Sequence, residues 1–418
     1  MRNKRWARGS RGSRRRTLPL VCFLQVLALL VLVSSRLFAQ QAANPGPPAD
    51  AEAGKTSSSA VSNAPESKQS SSPVHKSRAN EPKKTDVQRS FVAAPLPISS
   101  PALGSGIVPV IGYIFPLSSS DKSSPPSVIG AAGLITDNGS QAFALLGQLY
   151  LRENTYQIRS VYARGNLNYD IYGDGIQSGL KLPLKQTGQA FLGEVVRRIG
   201  WDIFAGPRFL TGRSFITVRP TGGSSLPIPP EVGLHSNLTA IGIRVARDTR
   251  PNRFYPTSGT YFNFTSDFFS KTLGSKYSFQ SYRTEFDKYW SLSSKQVIAY
   301  NADLCLTRGD PPFYGKCVYG TDDELRGYRA GQYFDLYMLT TQAEYRLSLP
   351  KRFGVVVFGG VGGVIPGKTI APANSHFLPA GGAGLRFQLS KKYHVNLRAD
   401  LAQGVTGHTF SMSVGEAF

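Results

Sequence analysis

The stretch "YHVNLRADLA", Tyr393 to Ala402, decides the fold. In an extended chain Val395, Leu397, Ala399 and Leu401 share one face, while His394, Asn396, Arg398 and Asp400 share the other. The same split runs through "GLRFQLS", where Leu385, Phe387 and Leu389 oppose Arg386 and Gln388. It recurs in "TYFNFTSDF", where Phe262, Phe264 and Phe268 oppose Asn263, Thr265 and Asp267. No apolar spacing of 3.6 is sustained over a helix length anywhere from Gly106 to Phe418. A soluble sandwich also alternates, but its strands are typically ~5 to 6 residues long. Strands of 10 to 14 residues, as here, suit a barrel that crosses a bilayer, which needs about 9 to 11 residues per strand.

Clusters of Gly, Pro, Asn, Ser and Lys cut residues 106–418 into sixteen strands. They run from 107–115 through 174–182 and 188–199 to 394–404 and 409–418. An even number closes the sheet, leaves no edge exposed to lipid and puts both ends of the barrel on the periplasmic side. The short connections "LSS", "PKR" and "SKK" fall on that side, and the long ones, 308–335 and 365–378, on the outer side. The expected fold is all-β: a sixteen-stranded antiparallel transmembrane β-barrel with a disordered N-terminal tether.

The 418 residues carry a formal net charge of +22, of which residues 1–40 supply nine basic and no acidic residues. Arg2 to Arg16 followed by the apolar "LPLVCFLQVLALLVLV" has the layout of a secretory signal peptide, assigned to 1–40. Residues 41–105 are rich in Ser, Pro, Ala and Lys and too poor in aromatics to bury a core, so they read as a linker, leaving 106–418 as the barrel. Nucleic-acid binding needs basic surface interleaved with exposed aromatics; here the aromatics face lipid and the charges face inward. The expected neighbours are outer-membrane lipids and lipopolysaccharide.

"VVVFGGVGGVIPGKT" matches the phosphate-loop pattern through Gly362 and Gly367-Lys368-Thr369. That motif works only where a helix starts at the lysine, and Pro372 and Pro379 forbid one. The sequence contains no G-x-S-x-G elbow and no H-E-x-x-H, and its five histidines are scattered. The reading is of a non-enzyme without cofactor or metal. Cys305 and Cys317, the only cysteines after the signal, are expected to pair outside the reducing cytoplasm.

Three segments resemble one family, the outer-membrane assembly factors of the BamA/TamA type, also called bacterial surface antigens. "ARDTRPNRFYPTSGT" resembles its periplasmic turn through Asp248, Arg250, Pro256 and Gly259. "ELRGYRAGQYFD" looks like its sixth outer loop through Leu325, Arg326, Gly327 and Tyr328. The ending "FSMSVGEAF" resembles its C-terminal sorting signal, carried by Phe410, Met412 and Val414 on the lipid side and by Phe418 at the strand's end, with Glu416 where an aromatic residue is usual.

The resemblance implies that the loop folds into the lumen and that Arg326 pairs with acids on the twelfth and thirteenth strands. Glu344 occupies the twelfth-strand position, on one face with Gln342 and Arg346. The thirteenth-strand acid is replaced by Gly360, and Asp400 with Arg398 offers a substitute. The family's role would be assembly, insertion or translocation, with unfolded outer-membrane clients or a periplasmic partner. The alternative is a passive narrow pore or structural barrel. Relatives with the assembly role carry periplasmic substrate-binding modules that residues 41–105 do not encode.

Overall fold

The computed structural model describes residues 89–418 apart from 119, 122, 173–180, 220–232, 321–324, 330–331, 366–375 and 391–393. The signal peptide, the linker up to residue 88 and Gly367 to Thr369 therefore lie outside the described residues.

Eleven strands come first: β1 (Ser90–Ser100), β2 (Gly104–Phe115), β3 (Ser127–Thr136), β4 (Gln141–Leu151), β5 (Tyr156–Tyr172), β6 (Lys181–Gly200), β7 (Ile203–Val218), β8 (Leu234–Asp248), β9 (Gly259–Phe269), β10 (Phe279–Ser293) and β11 (Gln296–Gly309). A short hairpin, β12 (Cys317–Tyr319) and β13 (Tyr333–Asp335), precedes β14 (Tyr337–Ser348), β15 (Phe353–Ile365), β16 (His376–Ser390), β17 (Val395–Gly404) and β18 (Gly407–Val414). Leaving out the hairpin, sixteen strands close into one antiparallel barrel, each paired with its neighbour in sequence and β18 returning to β1.

The alternation of the opening stretch is the alternation of the wall. Leu401 is 58% exposed on the outer face, and its neighbour Asp400 is 1% exposed on the inner one. A charged side chain in the lumen keeps polar company, whereas on the lipid side it would cost free energy; pleating by two delivers each to its side. The pattern weakens toward the N-terminal strands. There the inner positions are aliphatic as well, with Leu96 and Ile98 on β1, Val108 and Val110 on β2, Leu134 on β3 and Leu146 on β4 in one buried cluster.

Two corrections concern strand placement. Residues 90–100, assigned to the linker, form the first barrel strand, and β6 replaces the two strands read at 174–182 and 188–199. The count of sixteen survives because the two differences cancel. "SFVAAPLPISS" reads as linker because of its Pro and Ser, yet Val92, Ala94, Leu96 and Ile98 alternate inward. Residues 183–187, which begin with Pro183, read as a turn, but β6 continues through them, paired on β5 from Lys181 to Arg197.

Prolines persist in β1 because it lies at the seam. Pro95 faces Pro109 of β2. Neither has an N–H, so this is a non-hydrogen-bonded pair. The backbone nitrogens of Pro95 and, two residues on, Pro97 therefore point toward β18. Two donors are missing from that edge. The seam shows the consequence: β1 and β18 share the single registered pair Ser99 with Met412, whereas β1 and β2 share eleven and β17 and β18 share eight.

A third correction concerns the chain's last residues. The last strand stops at Val414, four residues short of the expected end. Gly415 takes φ +101°, and Glu416, Ala417 and Phe418 turn into the barrel, with Phe418 only 2% exposed. Phe418 does not face lipid. It packs with Tyr289 and Ala299, while Phe410 stays half-exposed on the outer face.

Candidate functional site

The connection from β11 to β14 runs into the lumen. Cys317, at the start of the hairpin, is bonded to Cys305 of β11, with Cα atoms 5.8 Å apart. The hairpin continues through Val318 opposite Phe334 and Tyr319 opposite Tyr333. Tyr314 and Val318 join the aliphatic cluster of the first strands. The loop therefore packs on the apolar inner wall with one side and meets charge with the other.

That charged side is built around Arg326, 3% exposed. Its Nη2 donates to Glu344 Oε2 at 2.6 Å and to Gln342 Oε1 at 3.3 Å, and its Nη1 donates to Asp400 Oδ2 at 2.9 Å. The guanidinium lies 3.5 Å from the ring centroid of Phe358, which adds a cation–π contact in a desolvated place. Glu344 reaches Arg326 from β14 as the alternation requires, and Asp400 supplies the second acid from β17.

Gly360 serves packing rather than charge. A Cβ there would stand 2.4 Å from Thr341 O and 2.7 Å from both Gln342 Cβ and Leu325 Cδ1. The missing side chain is the space that Leu325 fills, fully buried. Gly327, at φ +114°, brings the loop backbone onto the wall of β16 and β17, where a Cβ would lie 3.0 Å from Ala380 Cβ. Tyr328 then donates to Pro379 O at 2.5 Å and meets Tyr319 and Tyr333 edge to face.

The ion network extends well past the loop. Glu344 also accepts from Arg346 Nε at 2.5 Å; Arg386 donates to Asp400 at 2.5 Å and to Glu416 at 2.7 Å; Arg398 stands 3.8 Å from Asp400. Asn396 Nδ2 donates to the other oxygen of Glu416 at 2.7 Å, and Arg346 Nη2 to Phe418 O at 3.0 Å. The inward-turned residues 416–418 are thus part of one network with Arg326. Sequence reasoning missed Arg386, Asn396 and the ring of Phe358. The inward parity of Arg386 and Asn396 marked them as lumen residues, but their partners come from other strands and from the inward turn after Val414.

The turn after β8 closes the end that the sequence reading assigns to the periplasm. Arg250 clamps Asp248 through Nε at 2.9 Å and Nη2 at 3.1 Å, and lies 4.2 Å from the Tyr261 ring centroid. Burial works against the Arg250 cation, but the charge and hydrogen bonds of Asp248 hold its pKa well above the ordinary range. Pro256 O accepts from Arg346 Nη1 at 3.4 Å, which ties this turn to the network. Gly259 sits at φ +91°, where a Cβ would meet Thr249 O at 2.5 Å. A second charged group, also missed, lies across the lumen: Glu194 of β6 with Arg159 at 2.8 Å, Arg244 at 3.4 Å and Arg208 at 3.6 Å.

A sequence model described as the Omp85 superfamily domain matches residues 139–418. No curated protein matches the sequence. Among solved structures, the fold is similar to BamA from Haemophilus ducreyi lacking POTRA domains 1–3, at TM-score 0.52 and 16% identity, covering 78% of this chain and 70% of that one. It is similar to CdiB from Escherichia coli, at TM-score 0.54 and 11% identity, covering 77% and 61%. CdiB from Acinetobacter baumannii gives TM-score 0.50 and 12% identity, covering 78% and 59%. The chain spans less than two thirds of either CdiB chain.

Proposed function

This chain belongs to the Omp85 superfamily, and from that premise we propose that it serves outer-membrane protein assembly, insertion or translocation, with the seam between β1 and β18 as its working part. The observation that carries the reading is the seam's single registered pair, Ser99 with Met412. A strand edge with few bonds to its neighbour is a template for another strand. Continuing the register would bring Pro97 opposite Val414 and Pro95 opposite Glu416, where proline has no N–H to give. An incoming client strand would compete with few existing bonds, and the barrel's remaining hydrogen bonds would keep their partners.

The passive-pore alternative is less well supported. Among the described residues, the hairpin and the arginine network lie inside the barrel wall. Arg326, Gly327, Tyr328 and Glu344 act in this reading as a lock that holds the loop, and Asp248, Arg250, Pro256 and Gly259 as its brace on the periplasmic side. Phe410, Met412, Val414 and Phe418 remain candidates for the sorting signal, which is read before the barrel folds and buries Phe418.

The test is a disulfide across the seam, Ser99→Cys with Met412→Cys, in purified protein reconstituted into liposomes. Insertion of a urea-unfolded eight-stranded outer-membrane protein is followed by its heat-modifiable gel shift. We expect the reduced variant to accelerate insertion over empty liposomes and the oxidised variant to lose that acceleration. Equal rates in the two redox states would sink the seam reading.

A further inference from the structure

The periplasmic end of the lumen contains a cavity of about 500 Å³ that the arginine network leaves unfilled. Arg346, Arg386 and Asn396 line it from the wall, and Lys351, Arg352 and His394 from the turns; among the described residues no acidic side chain lines it. Lys351 and Arg352 are exposed and make no ion pair among the described residues. Arg386 is 4% exposed. Its Nε and Nη1 are engaged by Glu416 and Asp400, and its Nη2 is buried without a hydrogen-bond partner. The accessible cations of the cavity, Lys351 and Arg352, are donors that an anionic acceptor would satisfy.

The same residues already show what they hold. Arg386 and Asn396 grip the Glu416 carboxylate from two sides, each at 2.7 Å, and Arg346 takes the backbone oxygen of Phe418. This is recognition of an acidic peptide, Glu-Ala-Phe, by a guanidinium and an amide. We propose that the adjoining cavity takes an acidic segment of a second polypeptide, presented from the periplasmic side. Its carboxylates meet Lys351 and Arg352, and its backbone meets the amides and hydroxyls of Asn252, Gln388 and Ser348. A lipid headgroup fits less well, because the wall residues that line the cavity, Arg346, Val356, Arg386 and Asn396, lie on the inner face of the barrel. The inference rests on this cavity and not on the seam.

The probe is a rhodamine-labelled peptide, (Glu-Ala-Phe)₂ with a C-terminal amide, and its control carries Gln for Glu. Both are titrated by fluorescence anisotropy against the full chain in zwitterionic detergent and in nanodiscs, with heat-modifiable migration confirming that every variant is folded. We expect the Glu peptide to bind, the Gln peptide to bind at least about tenfold more weakly, and the variant carrying Lys351→Gln and Arg352→Gln to lose about tenfold in affinity. Lys271→Gln, on the opposite rim, should leave binding unchanged. Equal binding of both peptides, or an unchanged affinity in the double variant, would overturn the proposal. So would displacement by inorganic phosphate at the peptide's own concentration, which marks a small-anion site, or by anionic phospholipid in the nanodisc, which marks a headgroup site.

Discussion

The inner wall of β14 to β18 and the inner wall of β1 to β4 belong to the same barrel but are built on opposite principles. The first is lined by Gln342, Glu344, Arg346, Arg386, Asn396, Arg398 and Asp400, each buried and most of them paired through distances near 2.5 to 3 Å. The second is lined by aliphatic side chains that pack on one another and on the hairpin. Directional ion pairs hold one geometry and are costly to break singly, because the partner left behind is a buried charge. Aliphatic packing is non-directional and tolerates small shifts. The two walls meet where the hydrogen-bond ladder is thinnest, between β18 and β1.

The largest effect that tests this contrast comes from removing the lock. Arg326→Ala takes one cation from Glu344 and Asp400, which keep Arg346 and Arg386, and removes the ring contact with Phe358; the expected loss is about 3 kcal/mol. Planar-bilayer recordings should show wild-type protein nearly closed and the variant with large, noisy openings. If both give the same steady conductance, the charged wall does not hold the loop and the contrast fails. Next is the Cys305–Cys317 bond. Closing a loop of this size stabilises by roughly 3 kcal/mol in the chain-entropy model, so Cys305→Ser with Cys317→Ser should lower the gel-shift midpoint temperature and expose the loop to protease.

Gly360→Ala sharpens the comparison at one methyl group. Its Cβ would collide with Thr341 O and Leu325, so a loss of about 1 to 3 kcal/mol is expected, seen as a lower midpoint with the loop displaced. An unchanged midpoint would mean that Leu325 moves freely and the glycine has no packing role. The smallest effect belongs to the compliant side. Pro95→Ala with Pro97→Ala returns two donors to the seam, worth about 0.5 to 1.5 kcal/mol per bond made. Hydrogen exchange should then slow at residues 93–99 and at 410–414, with β14 and β15 unchanged.

Much of the architecture was legible because alternation is a local property. The split in Tyr393 to Ala402 needs only the pleat to be read, and the glycine and proline clusters mark most turns. The strand at Ser90–Ser100 was hidden because proline and serine are usual in linkers, and only its place at the seam makes proline tolerable there. Within the site, Glu344 could be placed beside Arg326 from the resemblance and the parity of β14. Asp400 was in view as a substitute acid, but Arg386 and Glu416 were not, because nothing local says that residues 415–418 turn inward.

The sequence by itself determined the sheet, the inward and outward faces and the loop that carries Arg326, since each follows from a period of two, from turn residues or from a motif. Only the tertiary structure decided which charges meet, why Gly360 has no side chain, where the ladder thins and where Phe418 goes. Those depend on residues far apart in the chain, 74 positions for Arg326 and Asp400 and 313 for Ser99 and Met412, which come together only after the barrel closes. Inside a low-dielectric lumen, the pairing of a buried charge is set by whatever acid or base the opposite wall supplies.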